Sequence, residues 1–268
     1  MPTDTEAEIK QQIADGYKAV SDGQSSMMQG HQALAQARNS VSHAATRGQI
    51  NQKIWTCEQL TGQRAQFFSQ SGQDAFLDRS VFNGKRGGTF VEIGGYDGIT
   101  GSNCLFFELI RGWSGLLIEP SPMFISQAQS FRRATCLQCA VADREGTAEF
   151  LEVQKGFSQM SGLTGSYDPG LRKQVEDDPR HQGELIEVQT RTLHDILDEH
   201  MLRVIDYISL DVEGGEMSIL SGFPFEKYDI TAWTIENNTH KTEIPGLMQA
   251  KGYRRVEALG VDEVYVKS

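Results

Sequence analysis

The sequence predicts an α/β fold preceded by a helical extension. A short apolar run, Phe90–Ile93, breaks into Gly94-Gly-Tyr-Asp-Gly98 and is followed by apolar residues at helical spacing, which is the pattern of a buried strand, a tight turn and a helix. Strand-like runs then alternate with helical segments as far as residue 236. Before residue 61 the pattern changes to a seven-residue repeat. The chain is therefore expected to divide into an extension, residues 1–60, and a globular domain, residues 61–268.

Charge is distributed unevenly along the chain of 268 residues. The formal net charge is −11, and residues 1–60 carry six acidic and five basic side chains, so nearly all of the negative charge lies on the globular domain. Nucleic acids are bound through basic surfaces that neutralise their phosphates. The composition therefore argues against a nucleic-acid substrate.

The four cysteines, Cys57, Cys104, Cys136 and Cys139, do not form the pattern of a disulfide framework or of a zinc site. We interpret them as small buried apolar residues. The N-terminus lacks the apolar core of a signal peptide, and no apolar run reaches the length of a membrane span. We therefore expect a cytoplasmic protein without a membrane span.

The extension contains a heptad pattern. Larger apolar residues recur every seven positions from Ile13 to Val41, and a glycine or alanine stands three positions after each, from Gly16 to Ala44. Small residues at one seam position let two helices approach closely, although each glycine costs about 1 kcal/mol of helix propensity. We expect a helix that self-associates into a homo-oligomer and docks onto the domain from Trp55 onwards. The alternative is a flexible arm with an accidental repeat.

The glycine turn is expected to bind a nucleoside cofactor, and its composition favours one class. Tyr96 stands where a dinucleotide loop starting at Gly94 would carry its second glycine, and Asp97 would repel a pyrophosphate. The ammonium and sulfonium groups of S-adenosylmethionine instead favour a nearby anion. An NAD-linked enzyme on the same fold is the alternative.

Acidic residues follow the next two predicted strands. Glu119 ends the strand 116–119, about twenty residues after the glycine turn, where a carboxylate can accept the ribose hydroxyls of an adenosine. Asp143 follows a strand predicted over residues 136–141 and is placed to meet the adenine edge. Both positions support a nucleoside cofactor.

The next region has mixed character. An extended run over residues 147–153 is followed by residues 154–183, which are rich in Gly, Ser, Asp and Pro and lack periodicity. A loop of that length inside a compact domain is usually functional or disordered. We interpret it as a substrate lid or wall, followed by a second extended run, 186–192, and a short helix, 193–200.

Two further predicted strands, 205–211 and 230–236, end in polar residues. These residues are Asp211, Glu213, Glu236, Asn237 and, shortly after the second strand, His240. Parallel strands deliver such residues to the same edge of the sheet as the glycine turn. Carboxylate and amide oxygens there can deprotonate a hydroxyl or bind a hard divalent cation, and the histidine is a further candidate base.

Six short motifs follow one another along the globular domain. They are Ser69-Gln-Ser-Gly-Gln-Asp74, Val91-Glu-Ile-Gly-Gly-Tyr-Asp-Gly98 with Ser102-Asn103, Gly112-Trp-Ser-Gly115, Ile118-Glu-Pro-Ser-Pro122, Ala140-Val-Ala-Asp143 and Leu210-Asp-Val-Glu-Gly-Gly-Glu216. With these motifs in this order, the chain from about Phe68 to its C-terminus resembles the FkbM family of S-adenosylmethionine-dependent methyltransferases. Small departures occur at Gly95-Tyr96 and Gln138, and the heptads fall outside the resemblance.

The resemblance implies a class I, Rossmann-like methyltransferase fold, a seven-stranded and mostly parallel sheet whose last strand is antiparallel. It implies methyl transfer to an oxygen, often a hydroxyl of a sugar, glycan or secondary metabolite. It puts the methionine end of the cofactor at Gly94, Gly95 and Asp97, the ribose at Glu119 and the adenine at Asp143. The other residues that it implies in cofactor binding are Glu92, Asn103, Pro120, Ser121 and Asp211.

Asp211, Glu236 and Asn237 are also similar in placement to the magnesium ligands of catechol-type O-methyltransferases. The lysine that those enzymes carry three residues after the first aspartate is Gly214 here, so another base is needed. Mg²⁺ is therefore a hypothesis, and Asp211, Glu213 and Glu236 are expected to align a small-molecule or carbohydrate hydroxyl and take its proton, directly or through an ion. A non-catalytic assembly module that retains the fold is a further alternative.

Overall fold

The computed structural model describes residues 6–64, 66–238 and 242–268. An α/β domain carries a helical extension at its N-terminus, as the sequence predicts. The domain contains one sheet of seven strands and a smaller sheet of four. Across the described residues, no helix combines the length and the apolar composition that crossing a bilayer requires.

The extension consists of two helices, α1 (Glu6–Asn39) and α2 (Ala44–Leu60), which pack against each other. The heptad repeat crosses the break between them, since residues 40–43 are not helical. His31 Nε2 of α1 lies 3.2 Å from Glu58 Oε1 of α2. The two helices therefore form a hairpin of helices on the surface of the domain.

Helix α2 docks onto the globular domain over most of its length. Asn51 Nδ2 donates to the Ala258 carbonyl at 2.6 Å, and Trp55 Nε1 donates to the Ser69 carbonyl at 3.2 Å. Contact with the domain begins at Arg47, whose Nη2 donates to Glu257 Oε2 at 2.9 Å, and continues at Gly48, where an added Cβ would lie 2.1 Å from the Gly260 carbonyl oxygen. The expectation that docking begins at Trp55 is corrected, because glycine at position 48 lets the helix approach two turns earlier.

The larger sheet forms the centre of the domain. With strands numbered along the chain over both sheets, it comprises β1 (Thr89–Ile93), β2 (Ser114–Ile118), β3 (Thr135–Leu137), β8 (Val204–Leu210), β9 (Asp229–Glu236), β10 (Tyr253–Leu259) and β11 (Asp262–Lys267). Their spatial order is β10-β11-β9-β8-β1-β2-β3. The last strand, β11, is antiparallel to both neighbours, and the pairs from β9 to β3 are parallel. The predicted seven-stranded, mostly parallel sheet is confirmed.

Both faces of this sheet are buried. Val91 and Ile93 of β1 enter an apolar cluster with three helices, α7 (Leu193–Glu199), α8 (Glu216–Gly222) and α9 (Glu243–Ala250). Phe90 enters a second cluster on the other face, with α4 (Leu105–Arg111) and with α3 (Gln73–Phe76), which continues as a π turn (Leu77–Val81). This two-sided burial explains the continuous apolar composition of the parallel strands.

The smaller sheet lies between β3 and α7 in the chain. It comprises β4 (Ala140–Val141), β5 (Gly146–Lys155), β6 (Gly162–Leu163) and β7 (Gln182–Arg191), in the order β4-β7-β5-β6, with α6 (Pro169–Glu176) between β6 and β7. The strand predicted over residues 136–141 is therefore two strands in different sheets. Residues 154–183, predicted as one loop, contain β6 and α6. Asp168 and Pro169 provide an ordinary helix start, because the Asp168 carboxylate accepts from the first free amides of α6.

Candidate active site

A cavity of about 700 Å³ opens at the carboxyl ends of the parallel strands. It is lined by the glycine turn after β1, by the ends of β2, β8 and β9, by the turn after β4 and by residues 156–163 between β5 and β6. Ligands of open α/β folds bind at this edge of the sheet. Each residue predicted to bind cofactor or acceptor can therefore be checked for whether it lines this cavity.

The first two glycines of the turn are required by close packing. Gly94 has a φ of +80°, and an added Cβ would lie 1.8 Å from the Asp211 carbonyl oxygen. An added Cβ at Gly95 would lie 2.4 Å from the Leu117 side chain. A larger residue at either position would push β1 away from its neighbours.

Asp97 does not line the cavity, contrary to its predicted role at the methionine end of the cofactor. Its carboxylate accepts hydrogen bonds from Ile99 N at 2.8 Å and from Thr100 N and Oγ1 at 2.7 Å each. These are bonds within its own turn, and an aspartate that organises a turn in this way is common. We therefore assign Asp97 to the shape of the turn.

The amide groups of the glycine turn are occupied by acceptors of the protein itself. Six of them donate internally: Gly94 and Gly95 to the Ile118 carbonyl, Tyr96 to Glu119, Gly98 to the Gly95 carbonyl, and Ile99 and Thr100 to Asp97. Diphosphate sites use free amides of this kind as donors. These six donors are committed in the turn as folded, which disfavours a dinucleotide.

Glu92, at the end of β1, ties the turn to the helices behind it. Its Oε1 accepts from Ser102 Oγ and from the amides of Asn103 and Cys104, and its Oε2 pairs with Arg132 at 2.8 Å. No spacing in the sequence indicates this arginine, which lies 40 residues away. Glu92 therefore acts as a structural anchor on the cavity wall.

Arg132 is fully buried and carries two ion pairs. Besides Glu92 it contacts Glu108 Oε2 at 2.9 Å, and it donates to the Gly98 carbonyl at 2.9 Å. The two carboxylates raise the pKa of the guanidinium above its usual value against the effect of burial. One side chain thus joins β1, the glycine turn and α4.

Asn103 presents an uncommitted acceptor to the cavity. Its Nδ2 donates to Ser209 Oγ at 2.9 Å. Its Oδ1 is buried and has no hydrogen-bond partner among the described residues. This amide oxygen can accept from a ligand amino group.

Glu119 follows β2 and lines the cavity, as predicted for a ribose acceptor. It accepts from the amides of Tyr96 and Ser121 at 2.9 Å each. Burial raises the pKa of this carboxyl to about 7, against those two hydrogen bonds, and the charge of Glu152 acts in the same direction as burial. The carboxylate keeps lone pairs for two ligand hydroxyls.

The neighbours of Glu119 divide into two roles. Pro120 lines the cavity. Ser121 does not: it is the N-cap of α5 (Pro122–Phe131), and its hydroxyl accepts from Phe124 N and donates to Glu152. Its predicted part in cofactor binding is therefore indirect. Asp143 is exposed and lies at the rim of the cavity after β4.

Three carboxylates meet after β8 and β9. Oxygen atoms of Asp211, Glu213 and Glu236 lie within 4.8 Å of one another. Burial, followed by the charges of Asp262 and Glu216, raises the pKa of Asp211 well above its usual value. Burial and the neighbouring acids also raise the pKa of Glu213 and of Glu236. A side-chain hydrogen bond to Glu236 acts in the opposite direction on the pKa of Asp211.

Two oxygen atoms of this carboxylate cluster are left without a partner. Glu213 Oε2 and Glu236 Oε2 are buried and receive no hydrogen bond from the described residues. Glu213 also has a φ of +61°, a left-handed conformation that costs a non-glycine residue about 1–2 kcal/mol. Backbone strain of this kind is concentrated at functional sites.

The cluster differs from the metal set predicted from the sequence. Asn237 is buried and is not among the residues lining the cavity, and its backbone amide donates to the Val261 carbonyl at 3.2 Å. Glu213 occupies the third position instead, because the turn after Asp211 folds it inward. His240, the other candidate base, lies outside the described residues.

Residues 156–163 cover the cavity next to the glycine turn. Tyr96 Oη and Ser158 Oγ are 2.8 Å apart, and Gln159 Nε2 donates to the Thr100 carbonyl at 3.2 Å. Phe157 and Met160 add apolar surface to the lining. The segment is a wall of the cavity held to the turn by two side chains, within the stretch that the sequence marked as a lid or wall.

The strand order, the glycine turn after β1 and the acidic residue after β2 define a Rossmann-like methyltransferase fold. A family model described as the Methyltransferase FkbM domain matches residues 92–255. The chain therefore belongs to the FkbM methyltransferase family. A comparison with curated proteins gave no match.

Similar solved structures include other methyltransferases. A methyltransferase FkbM from Methylobacillus flagellatus KT is 13% identical with a TM-score of 0.45, over 89% of this chain and 58% of that one. A TehB-like SAM-dependent methyltransferase from Corynebacterium glutamicum is 11% identical with a TM-score of 0.40, over 80% and 96%. The N-terminal domain of human METTL16 is 11% identical with a TM-score of 0.37, over 82% and 70%. This chain thus spans somewhat over half the length of the first structure, and the family assignment rests on the sequence match.

Proposed function

We propose that this protein transfers the methyl group of S-adenosylmethionine to a hydroxyl oxygen of a small-molecule or carbohydrate acceptor. The observation that carries the proposal is the carboxylate cluster of Asp211, Glu213 and Glu236 beside the glycine turn. A hydroxyl must lose its proton as its oxygen bonds to carbon, and a carboxylate within reach can take that proton. Membership of the family supports the methyl donor, and the cluster supports an oxygen acceptor.

The proposed cofactor site fits a sulfonium nucleoside. Asn103 Oδ1 is the proposed acceptor for the amino group, and Glu119 is the proposed acceptor for the ribose hydroxyls. Asp143 at the rim is proposed for the adenine edge. When bound, S-adenosylmethionine supplies an electrophilic methyl carbon.

A dinucleotide is a poorer fit than S-adenosylmethionine. Its two phosphates need free amides or basic side chains. Six amides of the glycine turn are committed internally, and Arg144 is the one basic residue among the described residues that line the cavity. This argument replaces the direct repulsion by Asp97 that the sequence suggested, since Asp97 acts by occupying two of those amides.

In the proposed step the bond from the methyl carbon to sulfur breaks as the bond to the acceptor oxygen forms. The hydroxyl proton passes to a free carboxylate oxygen of Glu213 or Glu236, and Asp211 holds Glu236 in place by their hydrogen bond. A carboxylate with a raised pKa is a stronger base near neutral pH. The transfer is proposed without a metal ion, and the Mg²⁺ hypothesis drawn from the sequence is separate from it.

Calorimetry with each cofactor tests the nucleoside part of the proposal. S-adenosylmethionine and S-adenosylhomocysteine are expected to bind the full chain, and NAD⁺ is not. Glu119→Ala should weaken the binding of S-adenosylhomocysteine at least tenfold. Glu145→Gln alters an exposed acid on the same cavity and should leave that affinity unchanged. Binding of NAD⁺ with no response to S-adenosylmethionine would overturn the proposal.

Turnover tests the acceptor part. Release of S-adenosylhomocysteine is measured with panels of hydroxyl compounds, sugars among them, and the product is analysed by mass spectrometry for an O-methyl group. A product methylated on nitrogen or carbon would contradict O-methylation and leave the cofactor assignment intact. Cofactor binding without turnover on any panel favours the assembly module.

We further propose that α1 mediates self-association. Among its seam positions, Gly16, Gly23 and Gly30 face open space, with no atom of the described residues within 4 Å of an added Cβ, so a second helix can approach closely there. Light scattering of residues 40–268 against the full chain tests this, because the shorter chain keeps the docked helix α2. An unchanged subunit number would contradict a role for α1.

A further inference from the structure

The carboxylate cluster also has the geometry of a cation site. Asp211 and Glu213 come from one tight turn, and Glu236 comes from the end of the adjacent strand β9. One oxygen of each lies within 4.8 Å of the others. Oxygen ligands about 2.1–2.5 Å from a shared ion lie no more than about 4–5 Å apart. The three side chains can therefore contact one ion together.

A second observation points to a ligand at this position. Glu213 Oε2 and Glu236 Oε2 have no hydrogen-bond partner among the described residues, and each residue is only 7% exposed. A buried carboxylate oxygen without a partner is unfavourable. Both side chains line the same cavity, so one bound ion can satisfy both oxygens.

Among the described residues, no basic group is positioned to neutralise the cluster. The further charged groups that act on its carboxyls are Asp262, Glu216 and Glu119, all of them acidic. The buried Arg132 is paired with Glu92 and Glu108. Within the described lining of the cavity, the basic side chain is that of Arg144, which is exposed. Within the described part of the chain, the repulsion among the three acids is thus unrelieved, and a bound cation or protons can relieve it.

We propose that Asp211, Glu213 and Glu236 bind one divalent cation of the Mg²⁺ or Mn²⁺ class. All three ligands are hard oxygens, and the open side of the cavity leaves room for water or a substrate oxygen to complete the coordination. Asn237 is not a ligand of this site, which separates it from the set that the sequence suggested. The left-handed backbone of Glu213 is the conformation that brings the third carboxylate to the ion.

Binding of the cation does not depend on the proposed methyl transfer. Its effect on that reaction does rest on the proposed function: an ion held here lowers the pKa of an acceptor hydroxyl that contacts it and fixes the position of the oxygen. The carboxylates then hold the ion, and the hydroxyl loses its proton more readily to a carboxylate oxygen of Glu213 or Glu236 that does not contact the ion.

Titration of the metal-free full chain with Mn²⁺, followed by electron paramagnetic resonance, tests the site. One Mn²⁺ per chain is expected, displaced by excess Mg²⁺. Glu213→Gln and Glu236→Gln should each lower the affinity for Mn²⁺ at least tenfold, and Glu145→Gln should leave that affinity unchanged. Absence of saturable binding at millimolar Mn²⁺, or equal binding by all four proteins, would overturn the proposal.

Thermal unfolding without metal provides the folding control. Glu213→Gln and Glu236→Gln should unfold at or above the temperature of the parent chain, since each removes one charge from a repelling group. Mn²⁺ should raise the unfolding temperature of the parent and of Glu145→Gln, but not of these two variants. An equal rise in the variants would contradict the site. S-adenosylhomocysteine binding in the presence of chelator is measured in parallel, so that a failed metal site is distinguished from a failed cofactor site.

Discussion

The two sides of the cavity differ in how fully their polar groups are paired. On the side of the glycine turn, Glu92 and Asp97 accept several hydrogen bonds each, and six amides of the turn donate to acceptors of the protein. On the side of β8 and β9, Glu213 and Glu236 keep buried oxygens without partners among the described residues. Both sides are acidic, so charge alone does not distinguish them.

The difference shows which acids hold the structure and which are available for chemistry. A carboxylate that is saturated by hydrogen bonds keeps its proton state and its position. A buried carboxylate with a free oxygen, beside two other acids, changes its state when a proton or an ion arrives. We therefore expect substitutions on the two sides to change different measured quantities.

The largest effect is expected at Glu236. Glu236→Gln removes a proposed proton acceptor and keeps the shape of the side chain, so kcat should fall by roughly 10²–10⁴-fold. S-adenosylhomocysteine affinity should be unchanged. Both are measured with the first accepted substrate, with Glu145→Gln as the control. A variant that turns over at the parent rate would remove Glu236 from the reaction.

A large loss of stability is expected at Arg132. Arg132→Met leaves Glu92 and Glu108 buried without their partner, which should cost about 3–5 kcal/mol of unfolding free energy. Urea denaturation measures it. Lys173→Met breaks an exposed pair with Asp177 and should change stability little. Equal losses in the two variants would mean that burial of the Arg132 pairs is not decisive.

A smaller effect is expected from pH. The pKa of Glu119 is raised by burial to about 7 in the folded chain, so the folded state holds this proton more tightly than the unfolded state. The stability of the ligand-free chain should therefore fall as pH rises from about 5 to 8, with about 3 kcal/mol at most from this group. Urea denaturation at several pH values measures the free energy of unfolding, and in Glu119→Gln this free energy should depend less steeply on pH. A stability that climbs over this range would contradict the assignment.

The smallest effect is expected at Asp97. In Asp97→Asn the amide oxygen can still accept from Ile99 and Thr100, so stability should change by less than about 1 kcal/mol and cofactor affinity by only a few-fold. Calorimetry with S-adenosylhomocysteine measures the affinity. A loss of a hundredfold would restore the direct contact with the cofactor that the sequence suggested.

The central sheet and the position of the site could be predicted because their signals are local. The apolar run before Gly94, the acid at Glu119 and the polar ends of β8 and β9 each lie within a few residues of the turn that they mark. Hydrophobic periodicity and turn residues report such short-range structure well. The predicted sheet is accordingly confirmed.

The rest depends on contacts between residues that are distant in the chain. Arg132 is 40 residues from Glu92, and the partner of Asn103, Ser209, is 106 residues away. The side chain of Asp97 could face the cavity or accept hydrogen bonds from the amides of its own turn, and the structure shows the second arrangement. Glu213 lies beside Asp211 and Glu236 through its left-handed backbone, whereas Asn237 does not line the cavity. None of these has a spacing that sequence alone can show.

Helix α2 connects the extension to the wall of the pocket. Trp55 donates to the Ser69 carbonyl and Gln52 to the Gln70 carbonyl, and Gln70 itself forms part of the pocket wall. Displacing α2 would break both hydrogen bonds and disturb the pocket wall at Gln70. The way in which the extension is held on the domain is therefore coupled to the shape of the pocket.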